Sequence, residues 1–327
     1  VETAELRPLS LGELLDRTFT LYRGNFWVFV GIMAIPAALG IPITYLVLQF
    51  DVNLFANPAT PVAPSPGLIL GFLGGYFLLM ILLMIVYSIV AAAITYAVSE
   101  SYLGRRASIA AAYKSVRGKV WRLFGVAVNV ILRLIGIMMA VGAVIGLVGS
   151  LILAGLGAAG AVATGSQIAM GIVVVIFVLG LYISALSAMI YLALRYAVAI
   201  PALVLENLGV LASIRRSVQL TRGRRGHVFI ALLLAWIISI VGLMVFYMPF
   251  YVPTMILMAR SHAVPGWLAM MSSVSAAAGS SITSPIFLIV LVLCYYDTRI
   301  RKEAFDLQFM MASLDRPAPA AGTAPSA

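Results

Sequence analysis

The 327-residue chain is 63% hydrophobic and 10% charged, with a mean hydropathy of +1.10. A soluble domain has about 45–50% apolar and about 25% charged residues. The composition therefore excludes a soluble globule, a disordered chain, a secreted disulfide scaffold and a nucleic-acid reader. The net charge of +10, from 21 basic and 11 acidic residues, bears instead on how the chain sits in a membrane.

In chain order, residues 1–25 lack the basic-then-apolar plan of a secretory signal, so the first apolar run is expected to stay as an anchor. A span needs about 20 apolar residues. No charge lies between Arg23 and Asp51, which predicts a first span over 27–50. The stretch 67–98 predicts a second, long or tilted span. Residues 134–194 hold no charge and predict two more, turning near 161–167. Residues 226–259 predict a fifth span, ending near Phe250. Residues 261–296 predict a sixth, over 275–296. Four prolines, Pro58, Pro61, Pro64 and Pro66, make the first outer loop extended. The apolar segment 251–274 reads as an interfacial or re-entrant helix. The Pro/Ala-rich tail 317–327 reads as disordered. Long uniform runs call for an all-α polytopic bundle of about six spans, because backbone in lipid must satisfy its own hydrogen bonds.

Of the 21 basic residues, 18 fall in the N-terminus, the loops after the second and fourth spans, and the C-terminus. This bias places both termini in the cytoplasm. Arginine exceeds lysine, and with abundant Ala and Gly this points to a bacterial plasma membrane protein. The single Cys294 reads as a small buried hydrophobe. His227 and His262 form no HExxH motif and there is no CxxC, so neither a metal nor another cofactor is expected.

Three basic stretches look alike. LGELLDRTFTLYRG (11–24) and VLASIRRSVQLTRG (210–223) share four of 14 positions, and SIAAAYKSVRGKVW (108–121) is a weaker copy. Each precedes a pair of spans. The single membrane domain 1–316 is thus read as three units, 8–100, 105–206 and 208–306, each an amphipathic cytoplasmic helix plus a hairpin. At ~100° per residue, Glu13, Asp16, Arg17, Thr20 and Arg23 share one arc and Leu11, Leu14, Leu15, Phe19, Leu21 and Tyr22 the other. Such a helix is expected to lie in the interface, apolar side in the acyl boundary and basic side toward anionic lipid headgroups.

Inner-face ion pairs are expected between neighbouring units, from Arg17, Arg23, Glu100, Arg117, Glu206, Arg216, Arg222, Asp297 and Glu303. Arg133, with Asn129 one turn earlier on the same face, lies about 12 residues into the third span if that helix starts near Trp121. It is either a structural residue that pairs or snorkels, or a functional polar site; Arg195 reads as snorkelling. Gly142, Gly146, Ser150, Ala154 and Ala158 recur every four residues, a period that suits close helix packing or homo-oligomerisation. Pro36, Pro42 and Pro201 can kink helices.

RPLSLGELLDRTFTLYRGNF (7–26), PALVLENLGVLASIRRSVQLTRG (201–223) and YYDTRIRKEAFDL (295–307) resemble the glycerophosphoryl diester phosphodiesterase membrane-domain family and its uncharacterised bacterial relatives. The likeness spans nearly the whole chain except the outer loops and tail. In relatives that are phosphodiesterases, catalysis belongs to a separate barrel with paired histidines and metal-binding carboxylates. No such barrel fits in this sequence, so the resemblance implies the membrane part alone and carries over no catalytic residue. The expectation is a non-enzymatic membrane scaffold or accessory module that engages lipid or a protein partner at the cytoplasmic face. The alternative is a small-solute or lipid transporter with Asn129 and Arg133 on its polar path.

Overall fold

The computed structural model describes residues 9–55, 66–158, 164–260, 264–303 and Met311. The prolines Pro58, Pro61 and Pro64, the turn residues 161–163, His262 and the tail 317–327 lie outside them. Ten α-helices and no strand occur among the described residues.

The first element, α1 (Leu11–Gly24), starts at a capping box: Ser10 Oγ accepts the Glu13 amide, and the Glu13 carboxylate accepts the Ser10 amide. Asn25 both ends α1 and begins α2 (Phe26–Phe55). Its amide donates to the Leu21 and Tyr22 carbonyls, while its own carbonyl accepts from Val28 and Phe29. The chain turns by 83° at this residue. Next come α3 (Pro66–Tyr102), α4 (Ile109–Val116), a 3-10 turn (Arg117–Lys119), α5 (Val120–Ala158) and α6 (Thr164–Tyr196). A short α7 (Ala199–Leu205) leads to α8 (Val210–Thr221), then α9 (Arg225–Ala259) and α10 (Gly266–Glu303). Asn207 and Gly223, on either side of α8, adopt positive φ, the latter where glycine meets no Cβ penalty.

Among the described residues, five helices are long and apolar enough to cross a membrane, six when the bent α1–α2 pair counts as one span. The six long helices touch in chain order, α2–α3–α5–α6–α9–α10, and α10 returns to α2. The short helices dock with equal regularity. α4 packs on α2 and α3, α8 on α5 and α6, and α1 on α9 and α10. Two glycines make room for this. A Cβ on Gly31 would run into the side chain of Ile109, the first residue of α4, and one on Gly125 would come within 2.9 Å of Val210, the first residue of α8.

The core sits at the charged end of the bundle. It joins Phe29 and Ile32 of α2, Val90–Val98 of α3, Leu203 of α7 and Ile289–Tyr295 of α10 to one stripe from each short helix. Leu14 and Thr18 of α1, Val116 of α4, and Ile214, Ser217 and Thr221 of α8 are buried in protein. This corrects the expected placement of these helices' apolar stripes in the acyl boundary: the stripes seal the ends of the spans instead. The far halves of α5 and α6 are open. The four consecutive residues Val175–Val178 are all exposed, so no face of α6 is covered there.

Three further expectations change. Among the described residues of 251–274 there is no separate re-entrant helix: α9 runs through Pro249 and Pro253 to Ala259, and α10 is already helical at Gly266. Pro201 kinks no span but lies in the first turn of α7, where its missing N–H breaks no helical bond. A Cβ on Gly142 or Gly146 would meet open space, whereas one on Gly242 would approach Thr283 to 2.7 Å and one on Gly279 would approach Phe246 to 2.9 Å. Close packing thus occurs between α9 and α10, not at Gly142 and Gly146 of α5.

Candidate functional site

Among the described residues, Asp297 is the most deeply buried acid, 1% exposed, near the charged end of α10. A buried carboxylate needs compensation on each oxygen. It accepts the Leu9 backbone amide at 2.9 Å and the Arg301 Nε at 2.9 and 3.0 Å, and Arg301 Nη2 in turn donates to the Leu9 carbonyl. His227 Nε2 lies 3.9 Å from the same carboxylate. Beside it, Arg17 donates to the Tyr102 hydroxyl at 2.9 Å, Tyr102 stacks on Tyr296, and the Tyr296 hydroxyl shares a hydrogen bond with Ser99. These contacts tie α1, α3 and α10 together.

A second network joins α7, α8 and α10. Glu206 receives Arg216 Nε on both oxygens at 3.0 Å and the Tyr295 hydroxyl at 2.7 Å. Glu303 pairs with Arg216 and, at 3.2 Å, with Arg299; Arg299 also lies 3.9 Å from Glu206. Burial works against the charge on Arg216, but its hydrogen bonds to Glu206 and Glu303 outweigh that and raise its pKa above the usual arginine value. Two acids and two arginines make this cluster formally neutral.

The other expected pairs do not form in this way. Glu100 meets Arg105 at 3.5 Å, with Arg105 mostly exposed, a geometry worth about 0–1 kcal/mol. Arg23, Arg117 and Arg222 are exposed and have no acid against them among the described residues. Glu100, Glu206, Asp297 and Glu303 are already engaged by Arg105, Arg216, Arg299 and Arg301.

Arg133 has no carboxylate partner among the described residues. Its Nη1 donates to the Tyr196 hydroxyl at 2.6 Å, and its guanidinium lies 5.2 Å from that ring centre. Asn129, one turn earlier, has a buried Oδ1 without a hydrogen-bond partner. Arg133 also lines a cavity of about 350 Å³ with Arg195, Arg215, Gln219, Leu211, Ile214 and Val218. The cavity therefore lies level with α8, at the charged end of the bundle. Here α8 also caps α6, since Ser217 Oγ donates to the Arg195 carbonyl at 2.9 Å.

The sequence reading missed the tyrosines Tyr102, Tyr196, Tyr295 and Tyr296. Their signal was available: each sits within two residues of an acid or arginine at a span end, where an apolar ring with a polar tip fits. It also missed the convergence of Arg133, Arg195 and Arg215, which no spacing rule predicts. Among the described residues, no group of three or more His, Cys, Asp or Glu is placed to hold a metal.

A family model described as a domain of unknown function, DUF7847, matches residues 30–298. No curated protein and no solved structure matches the chain.

Proposed function

For a chain that belongs to the DUF7847 family, a domain of unknown function, we propose the role of a non-catalytic, multi-pass scaffold or accessory module of a bacterial plasma membrane. Both termini lie in the cytoplasm, and the charged end of the bundle engages anionic lipid headgroups or a protein partner. We read the chain as three repeated units related to the membrane part of the glycerophosphoryl diester phosphodiesterase family. The docking of each short helix on the long pair of the preceding unit, closing from α1 back onto α9 and α10, supports the repeat.

One observation carries the functional reading. Asp297, Glu206 and Glu303, the more buried acids at the charged end, are held in fixed internal networks, while Arg23, Arg106 and Arg222 stand exposed with no acid against them among the described residues. A rigid, internally neutral platform with arginines left over is suited to attract anionic headgroups, at about 1 kcal/mol per basic residue near the surface. The level of Arg133, beside α8 and bonded to Tyr196, favours this reading over a transport path.

The test reconstitutes the full chain in vesicles of neutral phosphatidylcholine with rising fractions of phosphatidylglycerol. The expected result is a midpoint of thermal unfolding that rises with the anionic fraction, and a weaker rise for the Arg23→Gln/Arg106→Gln/Arg222→Gln variant. A midpoint indifferent to lipid charge overturns the lipid part of the reading, and substrate-dependent flux abolished by Arg133→Ala would replace it with transport.

A further inference from the structure

We propose that the cavity between α5, α6 and α8 is a specific site for the phosphate of one anionic phospholipid, held by Arg133, Arg195 and Arg215. This deepens the lipid reading above and rests on it, adding one defined, saturable site to a general attraction.

Three observations converge. First, the lining holds three arginines, one glutamine and three apolar residues, and no carboxylate. Arg216, next in sequence to Arg215, instead engages both Glu206 and Glu303. The chain thus divides a consecutive pair, one arginine into the internal network and one into the cavity. Second, donors stand ready. Arg195 Nε is buried without a hydrogen-bond partner, and the hydrogen-bond partner of Arg133 is a neutral tyrosine hydroxyl. Three like charges gathered without a counter-charge repel one another, and an anion relieves that repulsion while accepting charge-assisted hydrogen bonds. Third, the volume of about 350 Å³ far exceeds the ~30 Å³ share of one water, so a phosphate with its glycerol fits.

A lipid and a soluble phosphate share this chemistry. The surroundings favour the lipid. Leu132, next to Arg133, is 62% exposed, and Leu211 on the cavity wall is 55% exposed. Leu186, Ile190 and Tyr191 continue an open apolar surface along α6 away from Arg195. Acyl chains have a track to follow from a headgroup in the cavity, whereas a small water-soluble anion has no use for one.

The experiment titrates the detergent-solubilised full chain with dioctanoyl phosphatidylglycerol, dioctanoyl phosphatidylcholine or inorganic phosphate, following the midpoint of thermal unfolding. The wild type is expected to show a saturable rise with phosphatidylglycerol alone. Arg215→Gln, on an exposed residue, weakens the apparent affinity about tenfold, the loss of one charge-assisted hydrogen bond. Arg215→Lys recovers part of it, and Arg133→Gln/Arg195→Gln removes the saturable phase. Unchanged binding in all of the cavity variants overturns the site. If Arg23→Gln/Arg106→Gln/Arg222→Gln loses binding while the cavity variants keep it, the site falls and the broader lipid reading stands. A rise with inorganic phosphate equal to that with the lipid overturns the assignment to lipid.

Discussion

The Leu9 amide donates to the Asp297 carboxylate at 2.9 Å across 288 positions of sequence, and Arg301 closes the ring by bonding both. The entry to α1 is thereby locked to the charged end of α10. Removing one partner of a buried ion pair leaves the other uncompensated and costs about 3–5 kcal/mol. Asp297→Ala is therefore expected to lower the unfolding midpoint in detergent strongly. Asp297→Asn, which keeps one acceptor for Leu9, falls in between. A midpoint unchanged by Asp297→Ala would show that the ring does not hold the two ends together.

The Glu206–Arg216–Glu303–Arg299 cluster is expected to act as a unit. Groups in one ionic network couple by about 0.5–3 kcal/mol. In a double-mutant cycle, Glu206→Gln and Arg216→Gln should each destabilise, and together by less than the sum of the two. Simple additivity would mean that the 3.0 Å contacts contribute nothing to stability.

Glycines on different helices should respond in opposite ways. Gly242→Leu or Gly279→Leu forces atoms into the α9–α10 contact and is expected to cost about 1–3 kcal/mol. Gly142→Leu and Gly146→Leu enter open space and should change stability by no more than about 0.5 kcal/mol. Strong destabilisation by Gly142→Leu in the membrane would reveal a second copy packed on the α5 stripe.

Tryptophan positions give a test of topology. Trp27 and Trp121 are 79% and 81% exposed near the starts of α2 and α5, at the charged end, while Trp267 is 66% exposed at the opposite end of the bundle, near the start of α10. In single-tryptophan variants reconstituted with the charged end facing the vesicle lumen, iodide added outside should quench Trp267 and spare Trp27 and Trp121. Quenching of all three from one side would contradict a bundle that crosses the bilayer.

The helical class, the long apolar helices and the end at which the charge gathers were legible without a structure, whereas the short α7 was not. Helix formation and span length depend on local, additive properties: an uncharged stretch such as 134–194 has to satisfy its backbone internally wherever it lies in lipid. Amphipathic stripes on α1 and α8 were legible for the same reason. What those stripes face was decided only by tertiary structure, because period alone cannot tell whether an apolar stripe meets acyl chains or the end of another helix; Leu14 and Ile214 meet protein. Pairing followed the same division. Charge arithmetic foresaw that acids at the charged end would meet arginines, as Glu206 meets Arg216. It could not foresee that Arg133 would bond Tyr196, that Asp297 would hold the Leu9 amide, or that Arg133, Arg195 and Arg215 would share a cavity. Those partners lie tens to hundreds of residues apart, and only the way the helices close on one another sets the distance between them.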